Sequence, residues 1–215
     1  MDKKLALAIA LLIVLAVSVP VASAEVSVGV KAGDWIEYQV DFTGVPPEGH
    51  DVEWARMDVV SVQGKEVGLD IAAKLSNGTW LNETVQLNLE TGQLGDAFIV
   101  PADLNSGDMF FDARQGNITI SGVEEGNYAG AKRTVMVGAT AQTTYYWDRA
   151  TGVLVEGNSS YTDFSMCTKV DKTNLWQAEM VGLDSNVVYA VGIAVAVVVV
   201  AVAAVFLLRR KRSGC

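Results

Sequence analysis

Four Asn-x-Ser/Thr triplets are the clearest chemistry-bearing motifs: Asn77-Gly78-Thr79, Asn82-Glu83-Thr84, Asn117-Ile118-Thr119 and Asn158-Ser159-Ser160. None has proline in the middle, so each fits the acceptor pattern for an N-linked glycan in an exported chain. Alternation puts Asn82 on the polar side of a strand, and turn chemistry puts Asn77 and Asn158 in turns. Asn117, at a strand start, is the least accessible expectation. Catalytic groups are far scarcer. His50 is the single histidine and sits beside Asp51 in a turn. One imidazole cannot build a His-rich zinc site, and no Gly-x-Ser-x-Gly elbow accompanies it. It reads as an exposed loop histidine, with a pH-sensitive spot beside Glu48 and Asp51 as the rival. The run Asp103-Leu104-Asn105-Ser106-Gly107-Asp108 has oxygen ligands spaced like the start of a calcium loop. Its glycine falls at the fifth position, and Arg114 stands where a bidentate Glu is required, so the run reads as a polar turn. No metal, cofactor or catalytic set is expected, although a carboxylate or serine enzyme stays open as a third reading.

The aromatic residues are more suggestive, with core packing as the first reading and recognition as its rival. Trp35, Tyr38, Trp54, Trp80, Tyr145, Tyr146 and Trp147 all fall in expected strands. By alternation Trp35 and Trp80 point away from the faces that carry Ile36 and Leu81. An outward Trp must be covered by a second layer or left free for a ligand, which makes Trp35 and Trp80 the candidate ligand-facing aromatics.

The two ends decide where such a surface works. Residues 1–24 carry Lys3 and Lys4, an apolar run and Ala22-Ser23-Ala24, the pattern of a secretory signal peptide. Residues 187–208 hold no charge and precede Arg209-Arg210-Lys211-Arg212. At about 1.5 Å per helical residue this stretch spans ~33 Å, enough for a bilayer core of ~30 Å. The basic cluster is the membrane stop and marks the cytoplasmic side. The expectation is a single-pass type I protein of the cell membrane, with residues 25–186 outside and 209–215 as a basic tail. Small residues at Gly192 and Ala196 could support weak homodimerisation through the span.

Half of the chain is hydrophobic, but much of that content lies in the two ends. Residues 25–186 contain ten Lys and Arg against 24 Asp and Glu, a net charge of −14. Such a surface repels nucleic acid and suits a cation or a basic surface protein, with lipid as a further candidate partner. Cys167 is the one cysteine of this stretch, so no internal disulfide can form there, and it reads as a small buried residue. Cys215 ends the tail outside any prenylation box.

The elements that must position these groups read as mainly β. Apolar and polar residues alternate over 34–42 and 79–89. Further strands are expected at 52–62, 66–75, 117–123, 131–139, 143–147 and 153–156, with a last one within 161–181. Pro46-Pro47-Glu48-Gly49, Gln63-Gly64, Ser76-Asn77-Gly78 and Gly157-Asn158-Ser159 are the expected turns. Tyr145-Tyr146-Trp147 and Val153-Leu154-Val155, joined by Asp148-Arg149-Ala150-Thr151-Gly152, form a hairpin. Glu90-Thr91-Gly92-Gln93-Leu94 repeats that turn chemistry, which suggests two meander halves, 25–100 and 101–181, joined by the connector 101–105. The fold expected is an antiparallel meander, as a curved sheet or half-barrel or as a β-sandwich, plus one C-terminal transmembrane helix.

The run from Val28 to Tyr38 and the hairpin at 145–154 resemble a group of uncharacterised archaeal surface proteins with an export signal, a β-rich ectodomain and a Val/Ala-rich anchor. More remotely, the meander with Asp-x-x-Thr-Gly hairpins is similar to the LolA/LppX-like lipoprotein-carrier fold, in which a curved sheet cups a lipid. Some archaeal surface proteins carry a Pro-Gly-Phe cleavage signal before the span. Here Val181-Gly182-Leu183-Asp184 stands in that place, so the anchor is expected to be retained. These readings imply a membrane-anchored, glycosylated surface domain with a binding or envelope-structural role and no catalysis. The alternative is a carrier that holds a lipid or hydrophobic ligand in a cupped sheet.

Overall fold

Ten antiparallel strands realise the alternation: β1 (Trp35–Gly44), β2 (Val52–Gln63), β3 (Glu66–Leu75), β4 (Trp80–Asn88), β5 (Met109–Asp112), β6 (Gly116–Tyr128), β7 (Ala131–Ala139), β8 (Thr143–Asp148), β9 (Leu154–Ser160) and β10 (Phe164–Thr173). The structure is a computed structural model and describes residues 26–47 and 51–178. The signal segment, His50, the span at 187–208 and the Arg209-Arg210-Lys211-Arg212 stop lie outside the described residues.

The strands form one open sheet in the order β4-β3-β2-β1-β10-β9-β8-β7-β6-β5. Each strand therefore pairs with its neighbour in sequence, except where β1 meets β10 and joins two meanders into one sheet. Of the two architectures expected, this is the single sheet and not a two-sheet sandwich. The hairpin at 145–155 forms as its turn chemistry dictates. Gly152 takes φ +72° and donates its N–H to the Asp148 carbonyl at 2.8 Å. The Asp148 carboxylate accepts from the Thr151 N–H and hydroxyl, closing the turn from within.

Two readings need correction. Gly157-Asn158-Ser159 is not a turn but lies in the middle of β9, where Gly157 pairs with Tyr145 on one side and Thr168 on the other. Ladder pairing with β8 on one side and β10 on the other holds the segment extended, so the sheet overrides local turn chemistry. The short edge strand β5 was not among the expected strands.

The sheet has one covered and one open face. Register fixes which residues share a face, because directly opposed residues point the same way. Ile120, Gly138, Tyr145, Gly157, Thr168 and Val40 form one row on the covered face. The cover is the chain's own 20-residue connector between β4 and β5. Its residues Leu94, Ala97, Ile99, Val100, Ala102 and Leu104 are all buried. It pairs with the hairpin through a bridge between Ile99 and Val153, and the Val100 N–H donates to the Gly152 carbonyl at 3.0 Å. Beneath it Trp147 is fully buried, donates its indole N–H to the Ala97 carbonyl at 2.7 Å, stacks on Tyr145 and meets Phe110 edge-on. At roughly 25 cal/mol per Å² of apolar surface, this aromatic cluster is a main source of stability.

Candidate functional site

On the opposite face the register lines up Gly122, Val137, Tyr146, Glu156, Lys169, Gln39, Trp54, Lys74 and Trp80 from β6 to β4. The two halves of this open face differ. Over β6–β10 it is partly roofed by the chain that follows β10. Asn174 clips that chain to the start of β1 by accepting the Trp35 N–H at 2.7 Å and donating to the Gly33 carbonyl. Trp176 then donates to the Tyr128 carbonyl, and the Arg133 guanidinium lies 4.7 Å from the centre of its ring. Arg133 also pairs at 2.7 Å with fully buried Asp148, the residue that closes the hairpin turn. Burial, helped by Glu156, pushes the Tyr128 phenol up to about 12.

Among the described residues nothing covers the face over β1–β4: no open-face side chain from Trp35 to Trp80 named below is buried. Trp54 and Trp80 meet edge to face at 5.5 Å, and Trp80 remains 55% exposed. One pleat further along, Arg56 stands over the Trp35 ring, 4.4 Å from its centre. The same guanidinium holds Asp58 with two hydrogen bonds, at 2.9 and 2.8 Å, and reaches Glu37 at 2.9 Å. Asp58 stands directly opposite Asp70 on β3. Like charges in that position repel, and the fold offsets this by giving Asp58 to Arg56 and Asp70 to the Thr84 hydroxyl at 2.7 Å. These carboxylates line an open groove of about 400 Å³ with Asn82, Glu83 and Thr84.

Trp35 and Trp80, singled out by alternation, thus lie on one face together with Trp54. Pairing Trp54 with them required the β1–β2 register, in which Gln39 faces Trp54, and the β3–β4 register, in which Lys74 faces Trp80. Flat rings beside fixed carboxylates and amides can stack on and hydrogen-bond a ligand, with the charge favouring a basic one. Among the described residues no group of three or more His, Cys, Asp or Glu is placed to hold a metal ion. The 103–108 run closes on itself, with the Asp108 carboxylate accepting the Asn105 N–H at 2.7 Å.

The four acceptor asparagines fall in different settings. Asn77 is exposed in its turn and accepts the Thr79 N–H at 2.8 Å. Asn82 is exposed on the open face of β4, and Asn117 is exposed at the start of β6. Asn158 is half-buried in β9 and donates its amide N–H to Glu156 at 2.9 Å, so its acceptor nitrogen is already engaged. The least accessible of the four is therefore Asn158 and not Asn117. Cys167 is half-buried on β10, and burial, reinforced by Glu156, pushes its thiol up.

No protein-family model and no curated protein matches the sequence. Among solved structures, MucB, determined in complex with MucA(peri), aligns with a TM-score of 0.39 and 12% identity over 73% of this chain. The chain spans 55% of the length of that MucB chain. The siderocalin Ex-FABP, described as functioning through dual ligand specificities, aligns with a TM-score of 0.26 and 10% identity, covering 69% of this chain and 76% of that one.

Proposed function

We propose that this chain is a non-catalytic binding domain, glycosylated and held at the outer face of the cell membrane by its C-terminal span. One observation carries the binding reading. The sheet buries one face under its own connector and leaves the other bare over β1–β4, where Trp35, Trp54 and Trp80 stand among fixed charges. Uncovered indoles on an ordered sheet forgo burial that would stabilise the fold, which is the usual mark of a recognition surface. The anchor and glycans rest on the sequence: the uncharged 187–208 stretch, its basic stop and the accessible acceptors Asn77 and Asn82.

A hydrophobic-ligand carrier would need an apolar chamber against the sheet. The connector occupies that position; the open grooves beside Asp58 and beside Arg133 carry charged groups, and the groove of about 540 Å³ beside Phe42, Val45, Pro46, Pro47 and Leu75 is more apolar but open to solvent. Native mass spectrometry of the full chain in a mild detergent tests the reading. Protein carrying only glycan supports it, and a stoichiometric co-purifying lipid overturns it in favour of the carrier.

A further inference from the structure

Strand β4 is one end of the sheet: on its outer side Asn88 is bridged to Gln93 of the connector, and the row of backbone N–H and C=O groups before it has no neighbour among the described strands. Natural sheets blunt such an edge with lysine, proline, a bulge or a very short strand. The opposite edge, β5, is only four residues long. Strand β4 has nine residues, Trp80-Leu81-Asn82-Glu83-Thr84-Val85-Gln86-Leu87-Asn88, with no lysine, no proline and an unbroken register against β3. Its first five residues are all exposed, including Trp80 at 55% and Leu81 at 44%.

The side chains along this edge say what would fit. On one face stand Leu81, Glu83 and Val85, with Glu83 as the only charge of the strand. On the other stand Trp80, Asn82 and Thr84, with Asp70 one strand further in and held by Thr84. An added strand lies ~4.8 Å away, so its residues would face these directly. A cation opposite Glu83 gains a cross-strand pair, a second one beside Trp80 gains the ring face, and apolar residues match Leu81 and Val85. An acidic strand would meet Glu83 and Asp70 on a region whose net charge is already −14.

We propose that the β4 edge takes up an extended, basic segment of a protein partner as an eleventh strand. This rests on the binding reading above and names the partner class. Backbone pairing supplies the attachment, and Glu83 with Trp80 selects the sequence.

The test uses the full chain in detergent micelles and a blocked nine-residue peptide, Thr-Arg-Val-Thr-Lys-Thr-Val-Arg-Thr, whose Lys can face Glu83 while an Arg on its other face meets Trp80, against the same peptide with Glu at each cationic position. Amide exchange reads residues 80–88, and anisotropy of the labelled peptide reads affinity. The basic peptide is expected to slow exchange within β4 but not β5, and to bind at least ~10-fold tighter than the acidic one. Glu83→Lys should weaken it by about tenfold while leaving the circular dichroism unchanged. Because a glycan on Asn82 would stand beside this edge, the Asn82→Gln chain is measured in parallel, and protection in either chain supports the proposal. It is overturned if neither chain shows protection, if the acidic peptide binds equally, or if β4 protection rises with protein concentration without peptide, which would make the occupant a second copy. A failed peptide with lipid-free protein sinks this inference alone, whereas a co-purifying lipid sinks the binding reading beneath it.

Discussion

Trp147 and Trp80 belong to the same sheet and meet opposite fates. Trp147 lies under the connector with its indole N–H satisfied by Ala97 and its ring between Tyr145 and Phe110. Trp80 stands at the far edge, touches Trp54 along one side and leaves over half its surface to water. The difference is set by topology. The connector leaves β4 at one edge and must reach β5 at the other, so it crosses one face only and buries its centre, leaving Leu81 and Glu83 at the β4 edge exposed. Among the described residues the other face receives cover only from the few that follow β10, and these reach Tyr128 without extending over β1–β4. One face therefore carries stability, and the other is the face proposed for recognition.

Substitutions should separate these two roles. The largest effect belongs to Trp147→Ala, which opens a cavity and strands the Ala97 carbonyl. A loss of about 3–5 kcal/mol in denaturant unfolding is expected. Asp148→Ala removes the partner of Arg133 and the acceptor of Thr151. It should cost about 3 kcal/mol, the lower end for a broken buried pair, because Arg133 keeps some contact with water.

A pH prediction follows from Tyr128. Its phenol is pushed above the ordinary value of 10.0, to about 12, so the neutral form is favoured in the folded state. That stabilisation is complete below pH 10 and is lost as pH rises towards 12. Tyr128→Phe should therefore flatten the fall in stability across this window, as read by unfolding at stepped alkaline pH. On the open face the costs are smallest. Arg56→Ala should lose about 0.5–1 kcal/mol, from the contact with Trp35 and its ion pairs. Trp80→Ala should change stability by no more than about 0.5–1.5 kcal/mol through its ring pair with Trp54. A cost for Trp80→Ala as large as that for Trp147→Ala would erase the distinction between the faces.

Much of the fold was legible because alternation and turn chemistry are local. Strands β3 and β7 begin and end where their sequence pattern does, and the Asp148–Gly152 turn closes through contacts within five residues. What escaped depends on distant partners. The connector has no period to betray it, since its apolar residues are buried by the hairpin some 50 positions later. Strand β5 is too short to show alternation, with Phe110 and Asp112 buried and Met109 and Phe111 exposed. Asn158 carries turn chemistry into a strand because β8 and β10 pair with it from both sides. At the site, alternation placed Trp35 and Trp80 on the polar side of their strands. Only the register brought Trp54 beside Trp80 and Arg56 over Trp35.

The most direct test of a recognition surface on β1–β4 is hydroxyl-radical footprinting of the chain in its native membrane against the purified protein. The account predicts that Trp80 and Trp54 are oxidised more slowly in the membrane, where the partner is present, while Trp147 stays protected in both. Equal oxidation of Trp80 in the two settings would contradict it.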